Sequence, residues 1–401
     1  MLMKNLHSNY NPLYFLAALG AGGLAISFFM YPNFMLAHEG APLLTFNHAY
    51  GILQDGGLTA VLLSITLVAI IFLSVLHFRL LFWNISEYKK FKKTKAFKEL
   101  TNSPREISLM VIPLTLAMTI NVSFILGALF VPDLWSVVEY LFPLAILAFG
   151  AVGVYALKIL GVYFSRLFTQ GNFKLVENNN FTQMIAVFAL SMIAVGFAAP
   201  GAMSHHVEIN AIGIFLSIFF LSLALILAVI TLTVGFLSTL QHGIDKGTSV
   251  SLWIMIPILT LVGITIFRLT MGLHHGFETT LSKPSFFILM STIISLQILF
   301  GMIGYKVMKK MGYIPDNSQG CDVNAGSFAL ICPGVAFFVF GMFFLIFGLV
   351  QNGLVTLMSP AFFALLTPLV LVQLQTLRVF FRLICKVTAC GTCKVPLSAA
   401  T

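Results

Sequence analysis

The residues of this chain best suited to chemistry are its five cysteines, three of which crowd the C-terminus: Cys385, Cys390 and Cys393. Cys390-Gly391-Thr392-Cys393 is a CxxC, in which one thiol can be activated as a thiolate while the other resolves a mixed disulfide. With Cys385 the spacing becomes C-x4-C-x2-C, which also suits plant-type iron-sulfur or zinc ligation. No fourth cysteine follows before Thr401, so Cys321 or His242 would have to complete such a set. A redox dithiol, a metal site of unknown identity and a tail with no defined role all remain open, and no cofactor is expected.

A second group is cationic or titratable. Arg268 lies well inside an apolar stretch, one to two turns from its end, where it either concentrates anions at an outer vestibule or snorkels to the headgroups. Six histidines, His38, His48, His205, His206, His274 and His275, share the outer loops with Glu39, Asp55, Glu208 and Glu278. No HxH or HExxH spacing forms a metal site among them, which leaves solvated loop residues or a pH-sensitive mouth. No GxxxxGK[ST] is present, so ATP is not expected to drive the protein.

The elements that position these residues follow from composition. The 401 residues are 59% hydrophobic and 9% charged, with 40 Phe, more apolar surface than a soluble fold can bury. About ten stretches are each long enough to cross a bilayer: 13–30, 57–78, 107–131, 135–157, 182–199, 211–237, 251–273, 286–305, 328–350 and 360–381. Lys and Arg fall on alternate loops, most densely from Arg79 through Lys89, Lys90, Lys92, Lys93, Lys95 and Lys98 to Arg105. Basic loops stay cytoplasmic, which predicts both termini inside a bacterial inner membrane. The net charge of +9 therefore reports topology rather than a nucleic-acid partner; the basic loop is expected to meet anionic lipid. The expected fold is an all-α polytopic membrane protein, with residues 1–384 as transmembrane domain and 385–401 as a cytoplasmic Cys-containing tail.

Pro113, Pro257 and Pro333 each fall a turn or two into the third, seventh and ninth spans, and the surrounding sequences SLMVIP, SLWIMIP and SFALICP echo one another. A proline removes a backbone hydrogen bond and bends its helix, and broken backbone is tolerated where it is buried or lines a cavity. Odd spans inside and even spans outside are therefore expected. The inner spans carry few acids, which disfavours a proton relay or a cation channel. Their polarity comes from neutral groups, Thr115, Thr119, Asn121, Ser191, Thr260 and Thr265, which suit a weakly held anion.

The opening Asn11-Pro12-Leu13-Tyr14-Phe15, the run holding Gly20, Gly22 and Gly23, the ten spans and the proline-bent odd helices resemble the family of the bacterial tellurite-resistance protein TehA and the plant slow anion channels. The cysteine-bearing tail is also similar to that of the TsoY family of membrane proteins and selenoproteins. The resemblance implies five helical hairpins around a central pore, a homotrimer, and small inorganic or organic anions as cargo. It also implies a Phe gate on the ninth span, where this chain has Cys332 before Pro333, with Phe337, Phe338 and Phe340 as nearby substitutes. The expected function is thus an anion channel or exporter, including sulfur or selenium oxyanions, with a membrane thiol redox protein as the alternative. The redox reading needs a relay across the bilayer, for which the spans offer only Cys332.

Overall fold

The computed structural model describes residues 2–171, 180–314 and 324–389, and among them it contains helices and turns and no strand. Ten helices are long and apolar enough to cross a membrane: Pro12–Met35, Gly57–Phe91, Pro104–Phe130, Leu134–Gln170, Met184–Met203, Val207–His242, Lys246–Phe277, Lys283–Lys310, Ala325–Val350 and Pro360–Cys385. They alternate sharply in environment. The five odd spans bury 56 to 94% of their most apolar window inside the protein, the five even spans only 22 to 39%.

The odd spans form a closed ring. The first packs on the third, the third on the fifth, the fifth on the seventh, the seventh on the ninth, and the ninth returns to the first. Each even span covers the groove between its hairpin partner and the next inner helix; the tenth lies against the ninth and the first. Inner helices can approach because they are rich in small residues, with Gly20, Ala21, Gly22 and Gly23 buried in the first span and Ala186, Ala189, Ala194 and Gly196 in the fifth.

Two expectations are corrected. Pro113, Pro257 and Pro333, expected to remove a helical hydrogen bond a turn or two into their spans, are each the third residue of the α-helical part, after a 3-10 segment at Pro104–Met110, Lys246–Ile254 or Ala325–Leu330. The missing N–H falls in the first α turn, where a helix has few intrahelical partners to lose. The even helices also run past their apolar cores: the second continues from Phe78 to Phe91 and the fourth from Leu157 to Gln170. A short amphipathic helix, Phe46–Asp55, precedes the second span at the end away from the basic loops.

Candidate functional site

At the basic end, four of the five inner spans open on a cavity of about 100 Å³. Leu13 and Leu16 line it from the first span, Thr182, Ile185 and Phe188 from the fifth and its approach, Ser251, Ile254 and Pro257 from the seventh, and Ala329, Cys332 and Pro333 from the ninth. Three residues singled out in the sequence, Pro257, Cys332 and Pro333, are therefore brought together in one wall. Phe188 is the only aromatic side chain in the lining, and it is almost wholly buried. Pro113 is buried in the third span and does not line this cavity.

The seams of the ring hold most of the other predicted residues. Thr115 Oγ1 donates to Val111 O at 2.8 Å and to Phe15 O of the first span at 3.3 Å. Asn121 Nδ2 reaches Met192 Sδ of the fifth span at 3.6 Å. Arg268 Nη1 donates to Val195 O of the fifth span at 2.9 Å. Thr260 Oγ1 donates to Ala336 O of the ninth span at 3.0 Å. Ile331 and Val335 complete the circle by seating against Gly20 and Gly23 of the first span.

This differs from the expectation that these hydroxyls face a passing ion. Thr115, Thr260 and Thr265 all bond main-chain carbonyls, because in a low-dielectric interior an unpartnered hydroxyl is costly. Ser191 is buried, and its hydroxyl has no hydrogen-bond partner among the described residues. Among the phenylalanines, Phe338 packs on Tyr31 with ring centroids 5.2 Å apart, and Phe340 fills the space over Gly263, where an added Cβ would lie 2.5 Å from its ring. Both are fully buried between helices, while Phe337 is half-buried.

The even spans contribute polar side chains that the sequence reading missed. His77 of the second span is fully buried between the first and third. Asn210 of the sixth donates to Gly201 O at 2.5 Å and Gly272 O at 3.2 Å, bridging the fifth and seventh. Gln297 of the eighth donates to Ile256 O at 3.1 Å and to Thr260 Oγ1 at 2.7 Å. Gln373 of the tenth donates to Ser27 Oγ at 2.8 Å and accepts from Tyr31 OH at 2.6 Å. Arg166 of the fourth holds Glu106 at 3.0 Å and Ser103 O at 2.9 Å, where the third span begins. The available signal was that a polar group inside an otherwise lipid-length apolar run must point inward.

No family model, curated protein or solved structure matches this chain. The reading of the site therefore rests on its own geometry.

Of the predicted tail thiols, Cys385 is exposed near the end of the tenth helix, and Cys390 and Cys393 lie outside the described residues, as does Cys321. Among the described residues no group of three His, Cys, Asp or Glu side chains is placed to hold a metal ion. Of the histidines expected on the outer side, two are engaged locally: both ring nitrogens of His38 meet carbonyls, Asn33 O at 2.8 Å and Ala41 O at 3.0 Å, and His48 bonds Thr45 Oγ1 at 2.8 Å.

Proposed function

We propose that this protein is a channel or transporter for small anions, with the ring of odd spans as its conduit and the cavity at the basic end as its mouth. One observation carries the reading. Arg268 is the only Lys, Arg, Asp or Glu in the α-helical part of any inner span, so the sole formal charge deep in the ring is positive. A desolvated cation beside a narrow path attracts anions and repels cations.

The packing supports the same reading. Five helices at interaxial distances of about 9 Å place the ring centre about 8 Å from each axis. A Cα cylinder of radius about 2.3 Å then leaves a lumen that only small side chains keep open. The first and fifth spans supply such side chains, and Leu16, Phe188 and Cys332 line the cavity assigned to the mouth. The resemblance to the TehA and slow anion channel family leads to the same cargo class, and we extend it to a trimer whose contacts would use the lipid-facing even helices and to an inner membrane with both termini cytoplasmic.

The test is flux into liposomes carrying the purified protein, scanning chloride, nitrate, sulfite, thiosulfate and malate, with thiol-reduced and thiol-oxidised samples compared. Selective anion flux is the expected result, and dependence on thiol state would make the tail a regulator. Absence of flux for every anion, together with reduction of an external acceptor by thiols on the basic side, would replace this reading with the redox one.

A further inference from the structure

His77 sits in the second span, fully buried, wedged behind the seam between two inner helices. Nδ1 lies 2.7 Å from Ala18 O of the first span, and Nε2 lies 3.0 Å from Thr119 Oγ1 of the third. Gly22 creates the room: a Cβ there would stand 2.9 Å from Nδ1 and 2.8 Å from Met118 Cγ. The threonine hydroxyl is also 2.9 Å from Thr115 O.

These distances fix the chemistry. A carbonyl only accepts, so Nδ1 must carry a proton. Nε2 then has two complete arrangements. When it is bare, it accepts the proton of Thr119 Oγ1. When it is protonated, it donates to Thr119 Oγ1, whose own proton turns to Thr115 O. No donor or acceptor is stranded in either state, so gain or loss of the proton needs only rotation of one hydroxyl.

The surroundings leave this charge uncompensated. Between Phe15 and Met35 of the first span the only titratable side chain is Tyr31, and between Val111 and Phe130 of the third there is none. On its own helix Arg79 is exposed, and Glu87 lies nearly three turns toward the basic end, held by Lys90 at 2.6 Å. Glu106, at the start of the third span, is held by Arg166.

We infer that His77 is a proton-binding regulatory site: its protonation adds a positive charge behind the seam of the first and third spans and raises anion passage through the ring. This regulation rests on the anion-pathway reading above. At an effective dielectric near 20, a unit charge about 12 Å from a passing anion changes its occupancy about tenfold.

The experiment has two arms. In the first, the imidazole nitrogens of histidine-labelled protein in lipid nanodiscs are followed by NMR from about pH 4 to about pH 8, with His77→Gln assigning the signal. Nε2 is expected to titrate while Nδ1 stays protonated, and Thr119→Val, which keeps the histidine but removes the acceptor of its second N–H, is expected to move the midpoint to lower pH. A His77 signal that never titrates, or a midpoint unmoved by Thr119→Val, overturns the inference. In the second arm, anion flux into liposomes is measured over the same range. Flux that rises about tenfold on acidification in the native protein and stays flat in His77→Gln supports it. Flux with the same pH profile in both overturns the regulation alone, whereas absence of flux at every pH overturns the anion pathway and its regulation together.

Discussion

Replacing Arg268 with methionine tests the electrostatic core of the anion reading. The side chain is half-buried and tied across the seam of the fifth and seventh spans by its 2.9 Å bond to Val195 O. A charge at the radius of the helix axes lies about 8 Å from the centre of a five-helix ring with ordinary interaxial spacing. At an effective dielectric near 20, a unit charge at that distance contributes about 2 kcal/mol to the free energy of a passing anion. Methionine keeps the length and apolar volume but not the charge. Anion flux in liposomes should therefore fall about 30-fold, and the preference for anions over cations should fall with it, whereas Arg268→Lys should retain most of both. Flux and selectivity unchanged in Arg268→Met, with the protein monodisperse in detergent, would refute the argument that this guanidinium sets the sign of the permeant ion.

Two further outcomes are expected. Phe188→Ala removes the only ring in the lining of the mouth cavity and should raise flux at least tenfold, at a cost in thermal stability of about 3 kcal/mol if the space stays dry; unchanged flux would place the constriction elsewhere. Gly22→Leu drives a side chain into Met118, His77 and Val122, all within 3.1 Å of an ideal Cβ, and should lower the melting temperature in detergent by more than Gly51→Leu, which meets open space.

The architecture was largely legible before any coordinates, for physical reasons. Lipid demands long apolar helices, so the ten stretches announced themselves, and matched prolines marked the odd spans as the inner set. Of the residues the sequence singles out, Pro257, Cys332 and Pro333 share the lining of one cavity, whereas Pro113, at the matched depth, is buried elsewhere. The helix ends were not legible. The second span passes Arg79 without interruption because Asn84 and Glu87 are buried there, bonding Tyr10 OH at 2.8 Å and Leu6 N at 2.8 Å in the N-terminal segment. Hydropathy reads such a stripe as a loop. The polar groups of the even spans were visible as letters, but their targets are main-chain carbonyls and side chains of other helices, which no local pattern encodes; His77 and Gln297 gain meaning only with Ala18 and Ile256 beside them.

Closure of the ring has a consequence for how the chain is made. Its last seam joins Gly20 and Gly23 to Ile331 and Val335, and Tyr31 OH donates to Gln373, which in turn donates to Ser27 Oγ. A ribosome adding about 5–20 residues per second needs roughly 18–70 s to pass from the first of these segments to the last. Throughout that interval the growing protein is an open arc, with the hydroxyls of its first helix facing lipid or the insertion machinery, and any mutation that slows synthesis of the final hairpin prolongs the period in which the arc can be recognised as unfinished and degraded.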